Sequence, residues 1–188
     1  MIVATAGFGR WEFGAIGTAW CVDSEVPLRD GDRSAVMSLV ESFDRDWSRF
    51  RADSTVSRLA SGGSVAAPPD AAAMLALYGD LADVTDGAVN PLVGDALARR
   101  GYDGSYSLRD RGAMAAPDLW RDVVELADDR LTLHSPATID VGAVGKGRLV
   151  DLVMSEVAAA HGRLARRRCE RRPRDRRGAA ACRARAPV

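Results

Sequence analysis

A carboxylate, three glycines and an ammonium come together in Asp140-Val141-Gly142-Ala143-Val144-Gly145-Lys146-Gly147, the stretch of this sequence best suited to chemistry. Glycines let a backbone bend and let a ligand approach it closely. Amide groups at the start of a following helix, together with Lys146, favour an anion such as a phosphate. Asp140 beside them could hold a polar ring, a sugar hydroxyl or a metal-bound water. The spacing G-x-x-G-K-G is too short for a Walker loop, and no hydroxyl follows the lysine. The plainer reading is a glycine-rich strand-to-helix connection with a solvated lysine, and on these residues alone the two weigh about equally. Lys146 is the chain's single lysine among 26 basic residues, which tilts the balance towards a site. A lysine meets phosphate as a compact point charge.

A second candidate is Thr85-Asp86-Gly87-Ala88-Val89-Asn90-Pro91. Local physics favours a turn between helices, with Asp86 and Asn90 satisfying backbone donors. Glu41, Asp44 and Asp46 read as a solvated helix face, and His134 and His161 as structural or exposed. No residue stands out as a nucleophile or general base, so the catalytic residues are unassigned.

These residues need elements to position them. Trp11 to Val22 reads as a strand pair or bent strand around Gly14 and Gly17. Asp30-Gly31-Asp32 breaks the chain, and Val36, Val40, Phe43, Trp47 and Phe50 then share one helix face. Asp53-Ser54 caps a short turn holding Val56 and Leu59. Gly62-Gly63 and Pro68-Pro69 mark a loop. A helix over about Asp70 to Thr85 presents Met74, Tyr78 and Leu81, and Asp86 to Leu97 runs from a turn into a helix with Pro91 near its first turn. Gly101 to Asp118 reads as a polar surface loop. Val123–Leu126 and Leu131–His134 flank Asp128-Asp129-Arg130 as a hairpin. Thr138 to Val141 is a short strand leading into the glycine-rich stretch. Leu149, Val150, Val153, Met154 and Val157 then mark a helix to about Ala160. This irregular alternation predicts an α+β fold, a mixed sheet flanked by helices.

The chain has 188 residues, 47% hydrophobic and 28% charged, enough to bury a core. Its net charge of zero hides a split: +9 from Arg163 to Val188 against −9 for the rest. Such a basic segment suits a nucleic-acid contact. It has no aromatics and no groove-reading motif, however, and 25 arginines to one lysine point instead to GC-rich coding, so no nucleic-acid partner is expected. Residues 163–188 also lack an apolar face and are expected to be disordered. Three cysteines make neither a disulfide framework nor a zinc pattern. No apolar run is long enough for a transmembrane segment. The first ten residues lack the features of a secretion signal, so a cytoplasmic location is expected for the sequence as written.

Taken in order, four segments resemble the FAD:protein FMN transferase family, the ApbE-type flavin transferases. They are Phe13-Gly14-Ala15-Ile16-Gly17-Thr18; Phe43 to Phe50 with Asp53-Ser54-Thr55-Val56-Ser57-Arg58-Leu59; Thr85 to Gly94; and Ile139 to Gly147 with Asp151. The resemblance spans roughly Phe13 to Ala160. It implies binding of FAD and Mg²⁺-dependent transfer of FMN to a Thr or Ser hydroxyl of a target flavoprotein, with release of AMP. Some relatives hydrolyse FAD instead, and many work outside the cytoplasm. By position, Ala88, Val89 and Asn90 would line the flavin site. Asp140 and Lys146 would contact FAD, the carbonyl of Ala143 would be a Mg²⁺ ligand, and Ile16 stands where the family has a flavin-contacting Met.

The sequence departs from the family pattern in two places. Asn90 replaces the usual Asp. Beyond the lysine-bearing helix, the family's Gly-Gly-Asp strand, Ser-His segment and late Asp and Thr of the Mg²⁺ site are not found. The resemblance therefore implies a domain over residues 1–162 incomplete at its C-terminus, with weakened Mg²⁺ binding. Residues 163–188 are expected to be an out-of-frame or truncated reading, because arginine codons of the CGN type read one base later can encode Val-Val-(Val or Asp)-Val-(Asn or Ser)-Gly-Gly over Arg166 to Arg172. An inert flavin-binding fragment is the alternative to an active transferase, and nucleic-acid binding through the basic segment ranks below both.

Overall fold

The computed structural model of the chain describes residues 9–169 and 181–185. In chain order the elements are β1 (Gly9–Ala15), β2 (Thr18–Ser24), α1 (Asp30–Trp47), α2 (Thr55–Leu59), β3 (Gly63–Ala66), α3 (Ala71–Val84), α4 (Gly94–Arg99), α5 (Trp120–Val123), β4 (Val124–Ala127), β5 (Arg130–Leu133), α6 (Gly145–Cys169) and β6 (Ala181–Arg185). Helices thus accompany two small antiparallel sheets, as an α+β fold requires. The chain divides into two compact units, Met1–Ser42 with Lys146–Val188, and Phe43–Gly145. No helix among the described residues is long and apolar enough to cross a membrane.

The first unit holds the sheet β1-β2-β6. β1 and β2 form a hairpin in which Ala15 faces Thr18. The two residues between them, Ile16 and Gly17, both have positive φ, 44° and 72°. That is the backbone of a tight turn matched to strand twist, reached at Ile16 against its β-branched side chain. The buried residues that belong to this unit include Trp20 and Val22 of β2, Val36 and Val40 of α1, and Leu149, Val153 and Val157 of α6. Asp30 and Asp32 lie inside the first turn of α1 rather than ahead of it, where carboxylates favour the positive end of the helix. Within the segment expected to lack structure, α6 continues through Cys169 and Ala181–Arg185 pairs with β2; residues 170–180 and 186–188 lie outside the described residues.

The second unit holds the sheet β3-β5-β4. The expected hairpin is present as β4 and β5, turning at Asp128 and Asp129 with φ of 48° and 55°. Leu131 and Leu133 point inward while Arg130 and Thr132 do not. β3 occupies part of the stretch expected to be loop: Ser64 pairs with Thr132, and Arg130 reaches its carbonyl at 2.8 Å. Phe50 also departs from expectation, since α1 ends at Trp47 and Phe50 is exposed. Met74 and Tyr78 of α3 are buried as expected. Ser54 caps α2, its hydroxyl accepting from the Ser57 amide at 3.1 Å. Asp44 meets Arg51 and Asp46 accepts from Thr55, so these carboxylates fasten the end of α1 to residues 51–55 rather than simply facing water.

Candidate functional site

The expected strand Thr138–Val141 does not join a sheet; its backbone partners lie in residues 91–95. The Gly94 amide donates to the Thr138 carbonyl at 3.2 Å, and the Asp140 amide to the Pro91 carbonyl at 2.8 Å. Asp95 takes both the amide and the hydroxyl of Thr138, at 3.0 and 2.5 Å. Gly94 permits this approach, because a Cβ there would lie 2.6 Å from the Thr138 carbonyl oxygen. Pro91 accordingly sits ahead of α4 rather than in its first turn. Asn90 closes a local turn instead, its Oδ1 accepting from the Leu92 amide at 2.8 Å and its Nδ2 donating to the Pro117 carbonyl at 2.7 Å. Such side-chain bonds compete with helix initiation.

Asp140 ends this connection and starts the glycine-rich turn. Its Oδ1 accepts from the Gly142 amide at 2.7 Å, and a Cβ on Gly142 would come 2.8 Å from the same oxygen. Its other oxygen pairs with Nε of Arg49. Tyr78 donates to the Asp140 carbonyl at 2.9 Å. Burial, reinforced by the Asp140 charge, pushes the Tyr78 phenol above its ordinary range, so it stays a donor. The turn then folds on itself through Val144 and Gly145, whose amides reach the Val141 carbonyl at 3.1 and 2.7 Å, and α6 begins.

Arg49 was not foreseen from sequence, and it joins three segments of this unit. Besides Asp140 it donates to the Tyr102 carbonyl at 2.8 Å. Its guanidinium lies 4.2 Å from the Phe50 ring centroid and 5.0 Å from that of Tyr102. Only 5% of its side chain and 11% of that of Asp140 are exposed, which makes this a buried ion pair. Phe50, Tyr102 and Tyr106 form an exposed aromatic cluster, with Phe50 and Tyr106 stacked at 5.2 Å. The loop carrying the two tyrosines is organised by Asp103, which accepts from the amides and hydroxyls of Ser105 and Ser107. Those bonds, the Ser107 hydroxyl foremost, hold its carboxyl well below the usual range.

Of the expected site residues, Asp140 and Asn90 are buried and linked through Pro91, and Ala143 is exposed on the turn itself. Val89 is half-buried and Ala88 exposed, ahead of Asn90 in the same loop. Lys146 is exposed in the first turn of α6. Ile16 is half-buried at the hairpin tip of the first unit.

The model of the ApbE family matches residues 16–164. The chain belongs to the ApbE family. Solved structures of similar fold include the apo flavinyl transferase ApbE of Pseudomonas stutzeri, at 19% identity and a TM-score of 0.67, over 85% of this chain and 57% of that one. The flavin transferase ApbE of Vibrio cholerae matches at 18% and 0.67, over 83% of this chain and 55% of that one. The ApbE protein of Thermotoga maritima matches at 18% and 0.67, over 82% and 53%. This ApbE-family chain therefore spans somewhat over half the length of these structures. No curated protein matches the sequence.

A Mg²⁺ ion requires near-octahedral oxygen ligation, including carboxylates. Among the described residues no group of three or more His, Cys, Asp or Glu side chains is placed to hold a metal. At the turn, Asp140 is engaged by Arg49 and Gly142, which leaves the carbonyl of Ala143. That donor set does not by itself fit Mg²⁺.

Proposed function

We propose that this chain serves flavin transfer: it binds FAD, and the hydroxyl of a Thr or Ser on a target flavoprotein attacks the FMN phosphorus. In that reaction the phosphoanhydride P–O bond breaks, AMP leaves with the bridging oxygen, and the hydroxyl proton is released. The family resemblance implies Mg²⁺ for this reaction; among the described residues only the Ala143 carbonyl is a candidate ligand, and no step is assigned to the ion.

The observation that carries this reading is the Asp140–Gly145 turn opening into α6 with Lys146 in its first turn, inside a chain of the ApbE family. A helix N-terminus favours negative charge, and Lys146 adds a full positive charge where a diphosphate would lie. Ala88, Val89 and Asn90 are proposed to border the flavin, with Ile16 as a further flavin contact. Asp140 and Lys146 are proposed to serve the nucleotide side. Asn90 is already engaged by Leu92 and Pro117, which suits a role in shaping the loop that presents Ala88 and Val89.

The test is to incubate the purified protein with FAD and Mg²⁺ and measure retained flavin absorbance and released AMP. Flavin retention with AMP release supports transfer or hydrolysis, and labelling of an added flavoprotein separates the two. Absence of both flavin retention and AMP release rejects the proposal.

A further inference from the structure

We infer that Arg49 is a positioning residue of the nucleotide site, acting through Asp140: it neutralises the carboxylate that braces the glycine-rich turn, so that an anionic diphosphate can approach. This role presupposes the FAD binding proposed above. Asp140 is 8% exposed, and its Oδ1 is bonded to the amide of Gly142 within the turn. An uncompensated negative charge there opposes the very ligand that the helix start and Lys146 attract. A like charge within about 8 Å of a phosphate at a partly buried site weakens binding by on the order of tenfold.

Arg49 is built for this task rather than for a surface pair. Its Nε meets the carboxylate while its Nη2 is held by the Tyr102 carbonyl. Its guanidinium carbon lies near both the Phe50 and the Tyr102 rings, contacts that help to fix it beside the carboxylate. A planar fork satisfies these contacts together, whereas an ammonium supplies the charge alone.

The experiment compares equilibrium binding of FAD and of riboflavin, which carries no phosphate, to the full chain and to Arg49→Met, Arg49→Lys and the double variant Arg49→Met with Asp140→Asn. Arg49→Met should weaken FAD by about tenfold or more and riboflavin by less than about threefold. Arg49→Lys should bind FAD within about threefold of the unaltered chain, and the double variant should recover part of the FAD affinity, relative to riboflavin, that Arg49→Met loses. Equal weakening of both ligands by Arg49→Met, or failure of the double variant to recover FAD, overturns the inference in favour of a purely structural role. If Arg49→Met does not fold, as judged by circular dichroism, the Lys and double variants decide in the same way. FAD binding that every substitution leaves unchanged overturns the inference alone. No FAD binding by the unaltered chain overturns the proposed function together with it.

Discussion

Replacing Gly94 by alanine adds one methyl group where two segments of the second unit meet. The new Cβ would lie 2.5 Å from Cγ2, 2.6 Å from the carbonyl oxygen and 2.8 Å from Cβ of Thr138. The carbonyl is backbone and cannot swing aside. The side chain cannot rotate away either, because Asp95 holds the Thr138 hydroxyl at 2.5 Å and its amide at 3.0 Å. Overpacking of this kind costs about 1–3 kcal/mol. Separating the segments also stretches the bond from the Gly94 amide to the Thr138 carbonyl, about 1 kcal/mol more. Alanine's helix preference returns at most about 1 kcal/mol. The net expectation is a loss of about 2 kcal/mol. The same exchange at Gly147 meets nothing within 4 Å of its Cβ, in the first turn of α6. It should stabilise the chain by about 0.5–1 kcal/mol. Urea denaturation followed by circular dichroism reads both as shifts of the midpoint at constant slope. A Gly94→Ala chain as stable as the unaltered one, or less destabilised than Gly147→Ala, refutes the packing argument.

Two further expectations concern the same unit. Ser54→Ala removes the cap of α2, whose hydroxyl is fully buried and bonded to the Ser57 amide, and should cost about 1 kcal/mol in the same denaturation assay. Tyr78→Phe leaves the Asp140 carbonyl without its buried donor. It should cost about 1–2 kcal/mol and lower FAD affinity, because that carbonyl precedes the glycine-rich turn; unaltered stability and affinity would show that the bond contributes neither.

The parts of this structure legible in the sequence are those fixed locally. Ser54 caps the helix beside it, Asp128-Asp129 turns the hairpin it interrupts, and Asp140 takes the Gly142 amide within the turn it opens. The parts that were not legible depend on distant partners. β3 carries only Gly-Ser-Val-Ala, and it is a strand because β5, some sixty-odd residues later, offers Thr132 and Arg130 to Ser64. Thr138–Val141 has the composition of a strand, yet Gly94 and Asp95 take its hydrogen bonds. Phe50 continues the apolar period of α1 but lies past the helix end, where Tyr106 stacks on it, Tyr102 meets it edge-on and the Arg49 guanidinium lies over its ring. Arg49 itself is one arginine among 25, with its carboxylate 91 positions away. Only the folded chain sets it apart.

Equilibrium titration of FAD, followed by flavin absorbance, into the unaltered chain and into Lys146→Ala addresses the glycine-rich turn as the diphosphate site most directly. The unaltered chain should retain FAD, and Lys146→Ala should lose it by about tenfold or more while its melting transition stays in place. Equal FAD affinity in the two proteins would contradict the assignment of this turn as the nucleotide site.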